Sequence, residues 1–296
     1  MKSLLYVSGV LVLFYFGCDK SSTEPSIHPD KNNTPDNQVA DLIIDHTCTN
    51  LDSIPESALN KAKDSLNIAY GHTSHGSQII SGMAGLVAFK GDLYSFTGNG
   101  ENNPLELHDT PFSGASDLGN PDRSAWAGAT RTYLNEHPET NVVIWSWCGQ
   151  VSSADSNNIE TYLSLMAGLE SDFQQVRFVY MTGHLDGTGM EGNLHLRNEQ
   201  IRQYCVKNKK VLFDFADIES YDPDGNGYLE RLANDNCDYD SDEDGSRDKN
   251  WAIDWQESNP GAWYSCGSAH SQPLNANLKA YAAWWLLARL AGWNGR

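Results

Sequence analysis

Basic residues are scarce in this 296-residue chain: 20 lysines and arginines stand against 39 aspartates and glutamates, a formal net charge of −19. The field of such a surface repels nucleic acid and anionic lipid, so neither is expected as a partner of the folded part. A membrane-length apolar run is missing as well, because the stretch Leu4 to Phe16 is too short to favour a permanent spanning helix. Cysteine is sparse beyond Cys18: Cys48, Cys148, Cys205, Cys237 and Cys266 make an odd set that leaves at least one unpaired. Cys237 and Cys266 bracket one acidic loop and are the first expectation for a disulfide. No internal repeat stands out. Hydrophobic residues make up 40% of the chain, with nine tryptophans, which is ample for the core of one large α/β domain.

Lys2, the apolar stretch and Gly17-Cys18 read together as a secretion signal over residues 1–18. Gly-Cys in this place resembles the lipobox of bacterial lipoproteins, although Tyr15 and Phe16 depart from its usual residues. The resemblance implies export to the cell envelope, periplasmic or at the cell surface, with a lipid anchor on Cys18 as the one membrane attachment. Residues 19–40 are rich in Ser, Pro, Asp, Asn and Lys and hold almost no large apolar side chain, so they read as a disordered tether. The folded domain is expected over 41–296.

Within it, apolar β-type runs alternate with helical patterns. Leu66–Tyr70, Pro104–His108, Asn141–Trp147, Val176–Met181 and Lys210–Phe215 are the expected strands. Ser77–Ala88, Arg123–Glu136, Ile159–Gln174, Leu194–Lys207 and Leu274–Ala291 are the expected helices. This alternation implies a five-stranded parallel sheet with helices on both faces, and loops 71–76, 109–122, 148–157, 182–192 and 216–273 converging at the strands' carboxyl ends. Glu219 to Pro273 shows no helix or strand pattern, and a stretch of that length usually has a task. Trp284 and Trp285, adjacent on an apolar helix, read as core.

Ser74, in Tyr70-Gly71-His72-Thr73-Ser74-His75-Gly76, emerges at a strand-to-helix corner, where α/β hydrolases keep their nucleophile. Helix-start amides can hold an oxyanion there, although a serine in this place can equally be a helix cap. His270, in Cys266-Gly267-Ser268-Ala269-His270, falls just before the last helix on the same sheet edge and supplies a candidate general base. The Gly-His-x-Ser-x-Gly block resembles the first block of SGNH hydrolases, and the order of elements is similar over roughly residues 60–296. That resemblance implies a three-layer α/β/α sandwich, flavodoxin-like, and a serine esterase, with Gly114 and Gln150 completing the oxyanion hole beside the Ser74 amide. The third block lacks the family's Gly-x-Asn, so Gln150 is assigned by position. An aspartate three residues before the histidine is replaced by Gly267, so an orienting acid must come from elsewhere, for instance Asp254 or Glu257, or a main-chain carbonyl must do the orienting.

His72, His75, His184 and Asp186 share this edge and could be read as zinc ligands, but His72-x-x-His75 spans a tight corner rather than a helix face. His72 and His184 are assigned instead to substrate contact. In the insertion 219–250, Asp222, Asp224, Asn226 and Glu230 are spaced as calcium loops space their oxygens, with glycine at position 6. Asp240, Asp242, Asp244 and Asp248 repeat the spacing, which resembles the short loops of dockerin and thrombospondin repeats. A structural calcium is therefore expected, and no organic cofactor. The leading expectation is an exported serine ester hydrolase acting on a small-molecule or glycan ester. The alternative is a non-catalytic surface lipoprotein that binds a glycan or other ligand on the same fold.

Overall fold

The computed structural model describes residues 42–295. The expected signal, tether and Cys18 lie outside them. The chain order is β1 (Leu42–Ile44), α1 (Glu56–Ser65), β2 (Asn67–Gly71), α2 (Ser77–Lys90), β3 (Glu106–Asp109), α3 (Ala125–Glu136), β4 (Val142–Trp145), α4 (Ser156–Asp172), β5 (Arg177–Met181), α5 (Asn193–Asn208) and β6 (Val211–Phe213). A short α6 (Phe215–Ile218), the two-residue strands β7 (Asp238–Tyr239) and β8 (Lys249–Asn250), α7 (Trp251–Ser258) and the long α8 (Pro273–Leu290) follow.

The fold is α/β, with a six-stranded sheet in the order β1-β6-β5-β4-β2-β3 and every neighbouring pair parallel. The expectation of five strands is corrected by β1, which adds to the edge through Leu42–Val211 and Ile44–Phe213 register pairs. Three residues directly after a polar stretch are too few to show periodicity. No helix of the described residues is long and apolar enough to cross a membrane.

Burial on both faces explains why the inner strands β2, β4, β5 and β6 are largely apolar runs, whereas the edge strand β3 is mixed. Along β5, Phe178 and Tyr180 join a core formed with Trp126, Tyr162 and Ile201 of α3, α4 and α5. Val179 and Met181 point the other way, into a core with Leu59, Met83 and Leu287 of α1, α2 and α8. In α8, Ala276 and Ala280 let α2 approach so closely that a Cβ on Gly82 would lie 2.1 Å from the Ala276 carbonyl oxygen. Trp284 is fully buried and Trp285 is packed against the same core, as expected of a helix facing a sheet.

The long stretch after β6 is also corrected. It contains the antiparallel β7–β8 pair and α7, whose first turn is capped by the Asn250 side chain accepting from the Ile253 N–H at 3.0 Å. Elements this short, joined by isolated turns and side-chain-to-backbone bonds, leave no periodic trace. All five cysteines beyond Cys18 are free, so the expected Cys237–Cys266 disulfide is absent. Cys237 faces the Ser271 hydroxyl at 3.5 Å, while Cys266 lies 3.4 Å from Asn277 Nδ2.

Candidate functional site

β2 ends in a corner that two glycines make possible. A Cβ on Gly71 would lie 2.3 Å from the Trp145 ring, and one on Gly76 would lie 2.1 Å from Ser146 Oγ. The Tyr70 hydroxyl donates to the Gly76 carbonyl at 3.0 Å and closes the turn. Ser74 and His75 are thereby delivered to the carboxyl edge of the sheet just before α2. Among the described residues, the N–H groups of Ser74, His75 and Gly76 meet no acceptor, which leaves donors at a helix start.

Three elements then meet. Cys148, in the loop after β4, sets its sulfur 3.3 Å from Ser74 Oγ and 3.4 Å from His75 Nδ1. On the far side of the ring, His75 Nε2 lies 3.0 Å from Asp235 Oδ2, in the segment before β7. An ionised carboxylate only accepts, so Nε2 carries the proton and the Nδ1 lone pair faces the thiol. Burial pushes the His75 pKa down, and the neighbouring His184 and His270 act in the same direction; the Asp235 hydrogen bond and Glu219 oppose them without prevailing. Burial opposes ionisation of Asp235, yet the His75 hydrogen bond and the fields of His184 and His75 hold its carboxyl below the usual range. At neutral pH the pair is therefore a neutral imidazole oriented by a carboxylate.

Two more imidazoles flank this ring. His184 stacks on one face of His75 at 3.6 Å between centroids and 1° between planes, and His270 stacks on it at 4.5 Å and 16°. His184 Nδ1 donates to the Leu185 carbonyl at 2.7 Å, which fixes the orientation of its ring. His75, Asp235 and His270 bring ligand atoms within 4.8 Å of one another. A single ion, however, must lie in the plane of every imidazole that binds it, and nearly parallel stacked rings point their lone pairs along separate planes. The set fits proton transfer better than metal binding.

The expected residues fall as follows. Ser74 and His270 share the edge, but the partner of the Ser74 hydroxyl is the Cys148 sulfur, and His270 meets the site by stacking on His75. Gln150 is a brace: its Nε2 donates to Asp117 at 3.1 Å and its Oε1 accepts from the Cys148 N–H at 2.9 Å. Asp117 also accepts from Thr73 Oγ1 at 2.6 Å, so one buried carboxylate ties the Ser74 corner to the Cys148 loop. Gly114 is exposed at φ 94°, with nothing near its would-be Cβ. His72 is held by Asp109 at 2.7 Å and by the Thr73 carbonyl at 3.0 Å, and it borders a pocket of about 220 Å³ with Gly71, Thr110, Phe112 and Trp145. Asp186 accepts from Thr188 at 2.5 Å, so the zinc set His72, His75, His184 and Asp186 does not gather. Asp254 and Glu257 lie on α7, and the acid on the imidazole cluster is Asp235.

In the first acidic loop Asp222 accepts from the Asp224 and Asn226 N–H groups, Asn226 Nδ2 and the Tyr228 hydroxyl, at 2.8–2.9 Å. Asp224 accepts from Trp255 Nε1 at 3.0 Å, and Glu230 borders a separate cleft. That loop is organised by its own donors. The second is organised by its own donors too, Asp240 accepting from the Glu243 and Gly245 N–H groups at 2.8 and 2.7 Å and Asp248 from Ser241 at 2.9 Å. There, however, Asp240, Asp242 and Asp248 also bring carboxylate oxygens within 4.8 Å of one another, while Asp244 accepts from the Ser246 N–H at 2.8 Å.

Beneath the site lies a fully buried ion pair, Lys279 Nζ to Glu219 Oε1 at 2.7 Å. Glu219 Oε2 accepts from the Leu185 N–H at 2.7 Å, next to His184. Lys279 also donates to Gln78 Oε1, and Gln78 Nε2 donates to the Ala269 carbonyl at 2.6 Å, next to His270. One pair thus grips both loops that carry the flanking histidines. It helps to hold His270 at φ 64°, a conformation that persists only where the surroundings enforce it.

Sequence reasoning missed Cys148 and Asp235. The available signal was positional, since Cys148 follows the third expected strand at the edge where Ser74 and His270 were placed. Asp235 had no signal, being one acid in an acidic stretch. Neither the family models nor the curated proteins with which the chain was compared contain a match to it.

Proposed function

We propose that this protein is an exported ester hydrolase that works by acyl transfer to one of its own side chains, on a three-layer α/β/α sandwich of the flavodoxin-like, SGNH type. Supporting the fold reading, strands β2 to β6 lie in the order β3-β2-β4-β5-β6, the 2-1-3-4-5 order of flavodoxin-like sheets, with β1 added at the far edge. The observation that carries the functional reading is the His75–Asp235 couple, whose free ring nitrogen is directed at a thiol that also touches the Ser74 hydroxyl. His75 takes the nucleophile's proton as the acyl bond forms and returns it to the leaving alcohol; it then serves the same way for water. The amides of Ser74, His75 and Gly76 are the donors for the oxyanion. The pocket of about 220 Å³ beside His72 has room for a short acyl group.

The acidic insertion is assigned a structural calcium at Asp240, Asp242 and Asp248, whose hard oxygen donors suit that ion. The substrate is an ester of a small molecule or glycan, reached at the cell envelope by a chain anchored through Cys18.

Hydrolysis of short-chain p-nitrophenyl esters by the full chain tests the reading. Wild type is expected to turn over, and His75→Ala to lose about 10²-fold or more with an unchanged circular dichroism spectrum. A folded wild type without turnover on any ester contradicts the enzyme and leaves the ligand-binding lipoprotein in its place.

A further inference from the structure

We infer that the side chain that accepts the acyl group is the Cys148 thiol, and that Ser74 serves it as a hydrogen-bond partner. The inference rests on the acyl-transfer reading and names the nucleophile within it. Contact is the first argument. The one nucleophile-to-base hydrogen bond among the described residues of the site runs from Cys148 Sγ to His75 Nδ1, whereas Ser74 Oγ reaches a ring nitrogen only through that sulfur. Chemistry is the second, since a thiol gives up its proton more readily than an alcohol and is the stronger nucleophile once it has done so.

Contrast with the other cysteines is the third argument. Cys48 and Cys205 are buried, with burial pushing both thiols up, and Cys237 is pushed up to about 12 by burial. Cys266 is raised to about 11 by the same cause and faces an amide and a carbonyl. Cys148 alone among the described cysteines faces an imidazole. It is partly exposed, and its backbone is fixed by Gln150, so the sulfur is both reachable and held.

In the reaction, the thiol proton passes to His75 Nδ1 as the Sγ–carbon bond forms at the ester carbonyl. The tetrahedral oxyanion collapses, breaking the carbon–oxygen bond, and the departing alcohol takes the proton from His75. Water then attacks the thioester with His75 again as base, releasing the acid and the free thiol. No oxidant or cofactor enters the balance.

Acid-quenching the full chain during turnover of p-nitrophenyl butyrate, followed by peptide mass analysis, locates the acyl group. The expected result is a butyryl group on the Cys148 peptide that neutral hydroxylamine removes, lost in Cys148→Ala and kept in Ser74→Ala. A butyryl group on Ser74, with Cys148→Ala still turning over, overturns the inference and leaves the ester hydrolase standing. Iodoacetamide labelling at pH 7 gives a readout that needs no turnover: Cys148 is expected to react at least about tenfold faster than Cys266, with that advantage lost in His75→Ala. Equal labelling rates overturn the assignment. Fast, His75-dependent labelling without ester turnover would sink the ester reading while sustaining the nucleophilic thiol.

Discussion

Removing Lys279 is the perturbation whose cost the structure defines best. Its ammonium is fully buried against the equally buried Glu219 carboxylate at 2.7 Å and lies 3.8 Å above the Phe215 ring. Burial lowers the Lys279 pKa, and Glu219 is the main group pulling it back up. In Lys279→Met the Glu219 carboxylate keeps only its neutral donors, Asn275 Nδ2 at 3.0 Å and the Leu185 N–H at 2.7 Å. An uncompensated buried charge of this kind costs about 3–5 kcal/mol. For a folded part of this size that corresponds to a fall in Tm of roughly 6–20 °C. The double variant Lys279→Met/Glu219→Gln removes both charges and is expected to recover a large share of the loss, since the penalty lies in the unpaired charge. Thermal unfolding followed by circular dichroism reads both. A single variant melting within about 2 °C of wild type, or a double variant no better than the single, would refute the reasoning.

Three other predictions follow from the same geometry. Because His75 titrates below its ordinary 6.5, with Asp235, Glu219, His184, His270 and the Cys148 thiol as its charged or titratable surroundings, the neutral base persists into mild acid; the acidic limb of kcat/KM is expected below pH 6.5, and a limb at or above 6.5 contradicts the assignment. The sign is the same for stability: the unfolded chain binds this proton first as pH falls through 6.5, so His75 contributes a loss of stability between there and its lowered value. Gly71→Ala drives a methyl into the Trp145 ring, fully buried in the core, and is expected to cost about 1–3 kcal/mol in chemical denaturation, whereas an unchanged midpoint would show that the ring yields. Calcium at about 100 times its Kd is expected to add about 2.7 kcal/mol of stability, abolished in Asp240→Asn; a Tm indifferent to both calcium and chelator removes the ion from the account.

How much of this was legible differs between elements. The four inner strands could be read because burial on both faces writes them as largely apolar runs, as in Val142–Trp145 and the Phe178 to Met181 part of β5, and the edge strand β3 through the short pattern around Leu105 and Leu107. β1 could not, being three residues long at an edge. The segment after β6 was opaque because much of its order rests on Asp222 and Asp240 each gathering backbone N–H groups and Asn250 accepting the Ile253 N–H, beside isolated backbone turns, and such bonds have no period. At the site, topology alone brought His184 and His270 to the Ser74 edge, because every loop in question leaves the same end of a parallel sheet. The contacts that define its chemistry span 73 residues from His75 to Cys148 and 160 from His75 to Asp235. A cysteine after a strand and one acid among many carry no local mark of that meeting.

The central claim, hydrolysis through an acyl group held on the protein, is tested most directly by stopped-flow release of p-nitrophenol on mixing the full chain with excess ester. The account predicts a burst approaching one equivalent per chain before a slower steady rate, with the burst abolished in His75→Ala. Release that is linear from the first turnover with no acyl group trapped on the protein by acid quenching, or a burst untouched by the loss of His75, would contradict it.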